Sequence, residues 1–365
     1  MLERDRISGG QAVLLNITMI IATAMLGAPA IAATHARQDA WLSMLLATLL
    51  ALPIALVTVK LGTLFPQKTL VEYTGDILGK WPGKLIGLLY LLWFIQICAV
   101  MIREYGNFLV DVFLPETPLI AINIIGAALA AYTVKKGLEV LVRVNQIFLP
   151  LILISVVLIF LLALPEMRIE RFLPAFETGA VDIFRGAVAP LAWMGEISTF
   201  AMLIPFLTRT GQAPRIAIIT IPLVGLFFTL LTVASIAVFG PNIANMNFPV
   251  LNTARVINIA NFIDRPEPLV MTIWVTGGLL KISIFYYVIV LGSAQWLALK
   301  DYRPLVLPVG VILAALSMAM ADNILEISHF IAYIWPPYAL ITFELGIPVL
   351  LLTIALLRKQ GGNKS

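Results

Sequence analysis

Residues 23–30 read TAMLGAPA. They sit inside an apolar stretch that runs from Gln11 to Ala33, and they place Gly27 and Pro29 where a spanning helix would otherwise be continuous. A helix broken at mid-membrane leaves backbone N–H and C=O groups unpaired. Such groups are tolerated only where they line a cavity or are buried in protein. The stretch is open to two readings: an interruption that builds a binding site, or a kink in a packed helix.

The surroundings of this stretch are those of a membrane protein. Of 365 residues, 61% are hydrophobic and 12% charged, against about 25% charged in a soluble domain. Ten apolar stretches of membrane-spanning character are bounded by loops: 11–33, 39–62, 83–113, 118–134, 137–164, 183–208, 213–240, 267–298, 304–321 and 330–357. The sequence therefore specifies an all-α integral membrane protein of ten transmembrane helices, a single membrane domain over residues 1–365. Arg4, Arg6 and the Ala30-Ile31-Ala32 triplet imitate a secretory signal. The apolar run is longer than the core of about 7–15 residues that such a signal needs, and further spans follow, so it is read as the first helix.

Charge fixes the orientation. With the N-terminus inside, the inner loops hold fifteen basic residues, from Arg4 and Arg6 through Lys68, Lys135 and Arg209 to Arg358 and Lys364. The outer loops hold five: Arg37, Arg168, Arg171, Arg255 and Arg265. This positive-inside asymmetry places both termini in the cytoplasm. The pI of 9.2 follows from those loops and is no sign of nucleic-acid binding. One cysteine, Cys98, and two histidines, His35 and His329, exclude a disulfide framework and leave little for a metal cluster. The chain carries no phosphate loop, HExxH or nucleophile elbow, and no soluble domain to hold an active site. Neither an enzyme nor a cofactor is expected. Two outer loops, 165–182 and 241–266, are long enough for a short helix each, and TLVEYTGDILGK has helical spacing at Leu70, Tyr73 and Ile77.

The sixth stretch has its own interruption. Residues 189–198 read APLAWMGEIS, with Pro190 and Gly195 flanking the midpoint and Glu196 at membrane depth. The first and sixth spans correspond if the chain is two halves of five helices, 11–164 and 183–357. Five is odd, so the second half is inverted. Interruptions at matching places in inverted halves mark a transporter-like binding site. A half-helix starting near Ala28 would offer free N–H groups to a ligand carboxylate, and half-helices ending near Met25 and Trp193 would offer carbonyls to an ammonium group. A small amino acid carries both charges.

Ionisable residues at mid-span cost about 3 kcal/mol each on insertion scales, so each needs a partner or a role. They are Arg103, Glu104, Glu196, Lys281 and Glu344. Arg103 falls on a polar stripe with Gln96, Val100, Asn107 and Asp111, directed to the bundle interior, where it is read as a structural charge paired with a carboxylate or, alternatively, as a ligand contact, while Glu104 points elsewhere. Lys281 shares a face with Trp274, Gly278 and Phe285. Its two readings are a salt bridge to Glu196 or Glu344, and a charge used in coupling. Thr23 either partners a ligand or bonds back to its own helix.

Taken together these features resemble the amino acid–polyamine–organocation superfamily, with its LeuT-type fold of two inverted five-helix repeats and broken helices 1 and 6. Within it the chain resembles the spore germination receptor B subunits, the GerAB family. The resemblance rests on ISGGQ and TAMLGAP in the first span, DAWLS opening the second, LFPQKTLVEYTGDILGKWPGK after it, MIREY and LPETPL ending the third, GLEVLVR entering the fifth, Gly195-Glu196, and the Lys281 span. It implies a germinant-sensing subunit in the inner membrane of a bacterial spore, acting with A-type and C-type partner subunits. The implied ligand pocket comprises Thr23, Met25, Leu26, Gly27 and Ala28 on the first span and Trp193, Met194, Gly195, Glu196 and Ile197 on the sixth, with Cys98 and Thr276 contributing. In sodium-coupled relatives the first and eighth spans hold a sodium ion, and Lys281 would supply that charge here. The expected ligand is a neutral amino acid such as alanine, valine or leucine, with a nucleoside or sugar as the alternative. A proton-coupled amino acid transporter is the second functional reading, and a scaffold with an unused pocket the third.

Overall fold

Ser8 begins the first helix. Its hydroxyl accepts from the Gln11 amide, and the Gln11 side chain accepts from the Ser8 amide at 2.8 Å, a reciprocal cap that satisfies two free donors. The computed structural model describes residues 5–259, 263–264 and 267–360. Arg4, Arg265 and Lys364, counted above in the charge asymmetry, lie outside the described residues. From Ser8 the chain enters α1, Gly9–Ala36, which runs as one α-helix through both Gly27 and Pro29.

The expected interruption of this span is therefore corrected. Pro29 removes one intrahelical bond, the one its missing N–H would give to the Met25 carbonyl. The rest of the ladder survives because the helix is packed on nearly every side: Ala22, Ala24, Met25, Leu26, Ala28, Ala32 and Ala33 are all buried. In this setting tertiary packing outweighs the low helix propensity of Gly and Pro. No half-helix starts at Ala28, so its N–H groups are not free for a ligand.

A 3-10 turn, Arg37–Asp39, leads into α2, Ala40–Leu64. The short α3, Leu70–Leu78, is capped by Thr69 and Glu72 and buries Leu70, Tyr73 and Ile77, as its spacing predicts. Then α4, Lys80–Val112, spans 33 residues, about 50 Å, more than the roughly 30 Å apolar core of a bilayer. It is followed by α5, Leu119–Lys135, and α6, Leu138–Leu162. The second half begins with α7, Ala180–Gly195. The winding tightens to 3-10 at Glu196 and stays so through Met202, with a second 3-10 turn at Ile204–Phe206. The chain continues as α8, Ala213–Phe239, and α9, Pro249–Val256, then a two-residue antiparallel pair, Asn258–Ile259 with Ile263–Asp264. Next come α10, Glu267–Trp296, and α11, Val306–Ala319. The last run comprises α12, Ile324–His329, α13, Trp335–Tyr338, and α14, Gly346–Leu357, joined by π-helical turns at Phe330–Ile334 and Ala339–Glu344.

Each of the ten expected stretches falls on helical elements. Six helical segments among the described residues have the length and composition to cross a membrane, the first of them joining α1 and α2, and two shorter apolar helices accompany them. Of the two long loops, 241–266 contains α9, whereas 165–182 contains 3-10 turns and the first residues of α7 but no helix of its own. Among the six segments α10 is the most enclosed, with 83% of its apolar window buried, and the α12–α14 run the least, at 22%. At the centre of the bundle α1 packs against α7, α8 and α10, with α2 packed on α7 and α8, and α4, α5 and α6 packed around α10.

One end of the bundle is closed by the chain's own start. The Ile7 amide donates to the Phe206 carbonyl and the Thr208 amide to the Ile7 carbonyl, each at 2.9 Å. Arg6 donates to the Pro205 carbonyl. The beginning of α1 is thus tied to the end of the 3-10 run that follows α7. Near the other end of α1, the buried Asp39 carboxylate accepts from the Phe176 and Thr178 amides at 2.9 and 3.1 Å, which holds the 165–182 loop against the α1–α2 turn.

Candidate functional site

Lys281 is fully buried in the middle of α10. Its Nζ lies 2.7 Å from Glu196 Oε2 and donates to Thr23 Oγ1 at 2.8 Å. Three elements meet at this one ammonium group: α1 through Thr23, the 3-10 run through Glu196, and α10 itself. Thr23 neither bonds back to its own helix nor waits unpaired; it accepts from Lys281. A buried ion pair of this kind fixes geometry more than it adds stability, because the Coulombic gain is spent on desolvation.

Two further carboxyl groups surround the pair. Glu344, at the end of the second π turn, is fully buried and lies within electrostatic reach of Glu196 and Lys281. Neither of its oxygens has a hydrogen bond among the described residues. It sits where only glycine can face it: a Cβ on Gly195 would lie 2.0 Å from Glu344 Oε2. Glu104, on α4, is within electrostatic reach of Lys281 and Glu196, and faces open space.

That space is a cavity of about 310 Å3. Its floor is Thr23, Glu104 and Trp193, and its walls include Leu26, Gly27 and Trp274. It reaches along α1 as far as Thr34, about 16 Å from Thr23 at helical rise. At this mouth it meets Asn247, Ser328, His329 and Tyr333. The Tyr333 ring contacts both histidines of the chain, with centroids 6.2 Å from His35 and 5.2 Å from His329. A smaller space of about 20 Å3, room for a single water, continues past Thr23 and Glu104 to Gln96, Glu196 and Trp335.

The geometry sorts the expected residues. Thr23, Leu26, Gly27 and Trp193 line the cavity, and Glu196 lines the smaller space behind it. Met25, Ala28, Met194 and Ile197 are buried in packing and line neither. Gly195 faces Glu344. The Cys98 thiol is turned to the Ile282 carbonyl at 3.9 Å, and Thr276 also lies off both linings. The reason on α1 is helical geometry. A continuous helix presents one face, and the lining residues of α1 are 23, 26, 27, 30, 31 and 34, the spacing of three and four that one face requires.

The same geometry corrects the polar stripe on α4. Arg103 donates to the Met318 carbonyl at 3.3 Å and lies within reach of Asp322 and Glu326, so it serves the contact with α11 and its flanking loop. Glu104 is the residue that faces the cavity, in line with Val100 and Asn107. One residue on a helix is a rotation of about 100°, enough to turn Glu104 to the cavity and leave Arg103 in the structural role expected of it. Asn107, Trp274 and the mouth residues also line the cavity, without a local sequence signal that marks them as ligand contacts. Among the described residues, no group of three metal-ligating side chains comes together.

Comparison with known proteins agrees with this architecture. A family model described as "Spore germination protein" (Spore_permease) matches residues 6–324. The chain is 26% identical over 369 residues to spore germination protein KB of Bacillus subtilis (strain 168), covering 100% of this chain and 98% of that protein. It is also 26% identical over 368 residues to spore germination protein YndE of the same organism, covering 98% of each. Among solved structures, MhsT in complex with L-phenylalanine superposes with a TM-score of 0.64 at 13% identity, over 97% of this chain and 99% of that one. A Na+-coupled sialic acid symporter in its substrate-bound outward-open state gives 0.66 at 14%, over 97% and 84%. MHP1, a nucleobase-cation-symport-1 family transporter, gives 0.67 at 13%, over 98% and 80%. At such identities the likeness is one of fold: the chain has the LeuT-type transporter fold.

Proposed function

Because the chain belongs to the spore germination protein family, we propose that it is the membrane subunit of a germinant receptor, one that binds a small nutrient at mid-membrane and signals through partner subunits. The observation that carries this reading is the junction of the cavity with the buried ion pair. Thr23 lines the cavity and also accepts from Lys281, which is paired with Glu196. A ligand that touches Thr23 therefore acts on the contact that joins α1, the 3-10 run and α10. Binding that favours one arrangement of this junction shifts the whole bundle toward it.

The ligand is a neutral amino acid. A cavity of about 310 Å3 is at the small end of ligand sites, and its walls are mostly apolar. One fold neighbour was solved with an amino acid bound. The receptor reading also includes A-type and C-type partner subunits, the inner membrane of the spore, cytoplasmic termini and two inverted halves, 11–164 and 183–357. The protein acts by binding rather than by catalysis.

A second reading, a proton-coupled amino acid transporter, is favoured by one feature. Lys281 places its ammonium group against Thr23 of α1, where the resemblance to sodium-coupled transporters puts a cation. The two readings separate in one experiment: binding of labelled alanine, valine and leucine to the purified protein, beside uptake into proteoliposomes with and without a proton gradient. Saturable binding without uptake is expected. Gradient-driven uptake would establish the transporter instead.

A further inference from the structure

Resting on the ligand reading above, we propose that the cavity selects its ligand by a protonated amine, with Glu104 as the counter-charge, and that a ligand carboxylate is dispensable. Glu104 lines both the main cavity and the smaller space behind it. It has no hydrogen bond or ion pair among the described residues, and none of the lining residues is a lysine or an arginine. Lys281 does not compensate for this. It is fully enclosed, it lines neither space, and its ammonium is engaged by Glu196 and Thr23 at 2.7 and 2.8 Å.

The alternative, recognition through a ligand carboxylate, would rest on neutral donors alone, the unpaired Asn107 Nδ2 and Trp274 Nε1, with no lysine, arginine or free helix end among the described residues at the cavity floor. Because α1 is continuous past Gly27 and Pro29, its mid-membrane amides are engaged in the helix and present no positive dipole end. The short α12 does begin at the cavity, but Asn323 caps it by accepting from the Glu326 amide. A ligand ammonium, by contrast, finds acceptors that match its three N–H donors. Glu104 supplies a carboxylate, and Asn107, one turn further along α4, lines the same cavity and supplies an amide oxygen. Thr23 Oγ1 retains a lone pair after accepting from Lys281. Two indoles, Trp193 and Trp274, line the same space and suit a cation near their faces. A ligand carboxylate would instead lie toward the polar mouth at Asn247 and Ser328, where water can solvate it.

The test uses the purified full chain in lipid nanodiscs and a panel read by thermal stabilisation. The probes are L-alanine, L-valine and L-leucine, the amide of each, and the deaminated acid of each (propionate, isovalerate and 4-methylpentanoate). The amides keep the amine and lose the carboxylate; the acids do the reverse. For whichever amino acid binds, its amide is expected to bind within about tenfold. Its deaminated acid and the Glu104→Gln variant are expected to lose on the order of 10- to 100-fold, the worth of a charge-assisted hydrogen bond. The wild-type panel reports on the inference even where Glu104→Gln fails to fold. A deaminated acid that binds as well as the amide, or a folded Glu104→Gln protein with unchanged affinity for the amide, would overturn the amine assignment while leaving the nutrient-binding reading intact. Binding by none of the nine compounds would overturn both.

Discussion

Replacing Lys281 by methionine removes the ammonium that holds Glu196 at 2.7 Å and Thr23 at 2.8 Å. Methionine is close in length and fills the space, so the change tests charge rather than volume. The Glu196 carboxylate is then left buried and unpaired, with Glu344 within electrostatic reach and no replacement cation lining the adjacent spaces. Removing one partner of a buried pair costs about 3–5 kcal/mol. At roughly 2 °C per kcal/mol for a large domain, that is a fall in Tm of about 6–10 °C. The assay is thermal unfolding of the purified protein in one detergent, comparing Lys281→Met, Glu196→Gln and the double variant. The double variant is expected to recover most of the loss, because it leaves no unpaired charge in the pair. A single Lys281→Met protein that melts within about 1 °C of wild type would mean that the pair is not what joins α1, the 3-10 run and α10.

Gly195→Ala places a methyl group 2.0 Å from Glu344 Oε2 and 2.6 Å from its Cδ; a loss of about 1–3 kcal/mol is expected, and truncating Glu344 to Ala in the same chain should restore much of it in the same melting assay. Asp39→Ala breaks two charge-assisted bonds to the Phe176 and Thr178 amides, each worth about 1.5–3 kcal/mol; limited proteolysis should then cut within 173–178 at rates that leave the wild-type chain whole. Ile7→Pro removes the amide that donates to Phe206 at 2.9 Å, so hydrogen exchange at the Thr208 amide should speed up while that of α10 stays slow.

Much of the bundle is legible in the sequence because membrane helices announce themselves by apolar length. The ten apolar stretches land on helical elements, and α3 follows from Leu70, Tyr73 and Ile77, which the structure buries. The charged residues of the core were equally visible, since a lysine and glutamates at mid-span have few places to go but toward one another. What the sequence did not decide was phase and continuity. Gly27 and Pro29 carry the same letters whether a helix unwinds or bends, and the outcome depends on neighbours such as α7 and α8 that hold α1 together. Arg103 and Glu104 are adjacent, and no local pattern tells which of two consecutive residues faces inward when both are charged. Trp274 and Tyr333 reach the cavity through the packing of distant segments, and the π turns that place Ile331 and Glu344 have no sequence signature.

On the proposed function, the cavity beside Thr23 is the nutrient site through which germination is triggered. Gly27 lines that cavity, and a Cβ placed there meets nothing nearer than Ile31 Cδ1 at 3.9 Å. A leucine at this position would extend into the ligand's space without disturbing the fold. The most direct measurement is nutrient-induced germination of spores whose chromosomal copy carries Gly27→Leu, with the protein quantified in the spore membrane. Loss of the nutrient response at normal protein level is the predicted result. A full response at normal protein level would place the nutrient elsewhere.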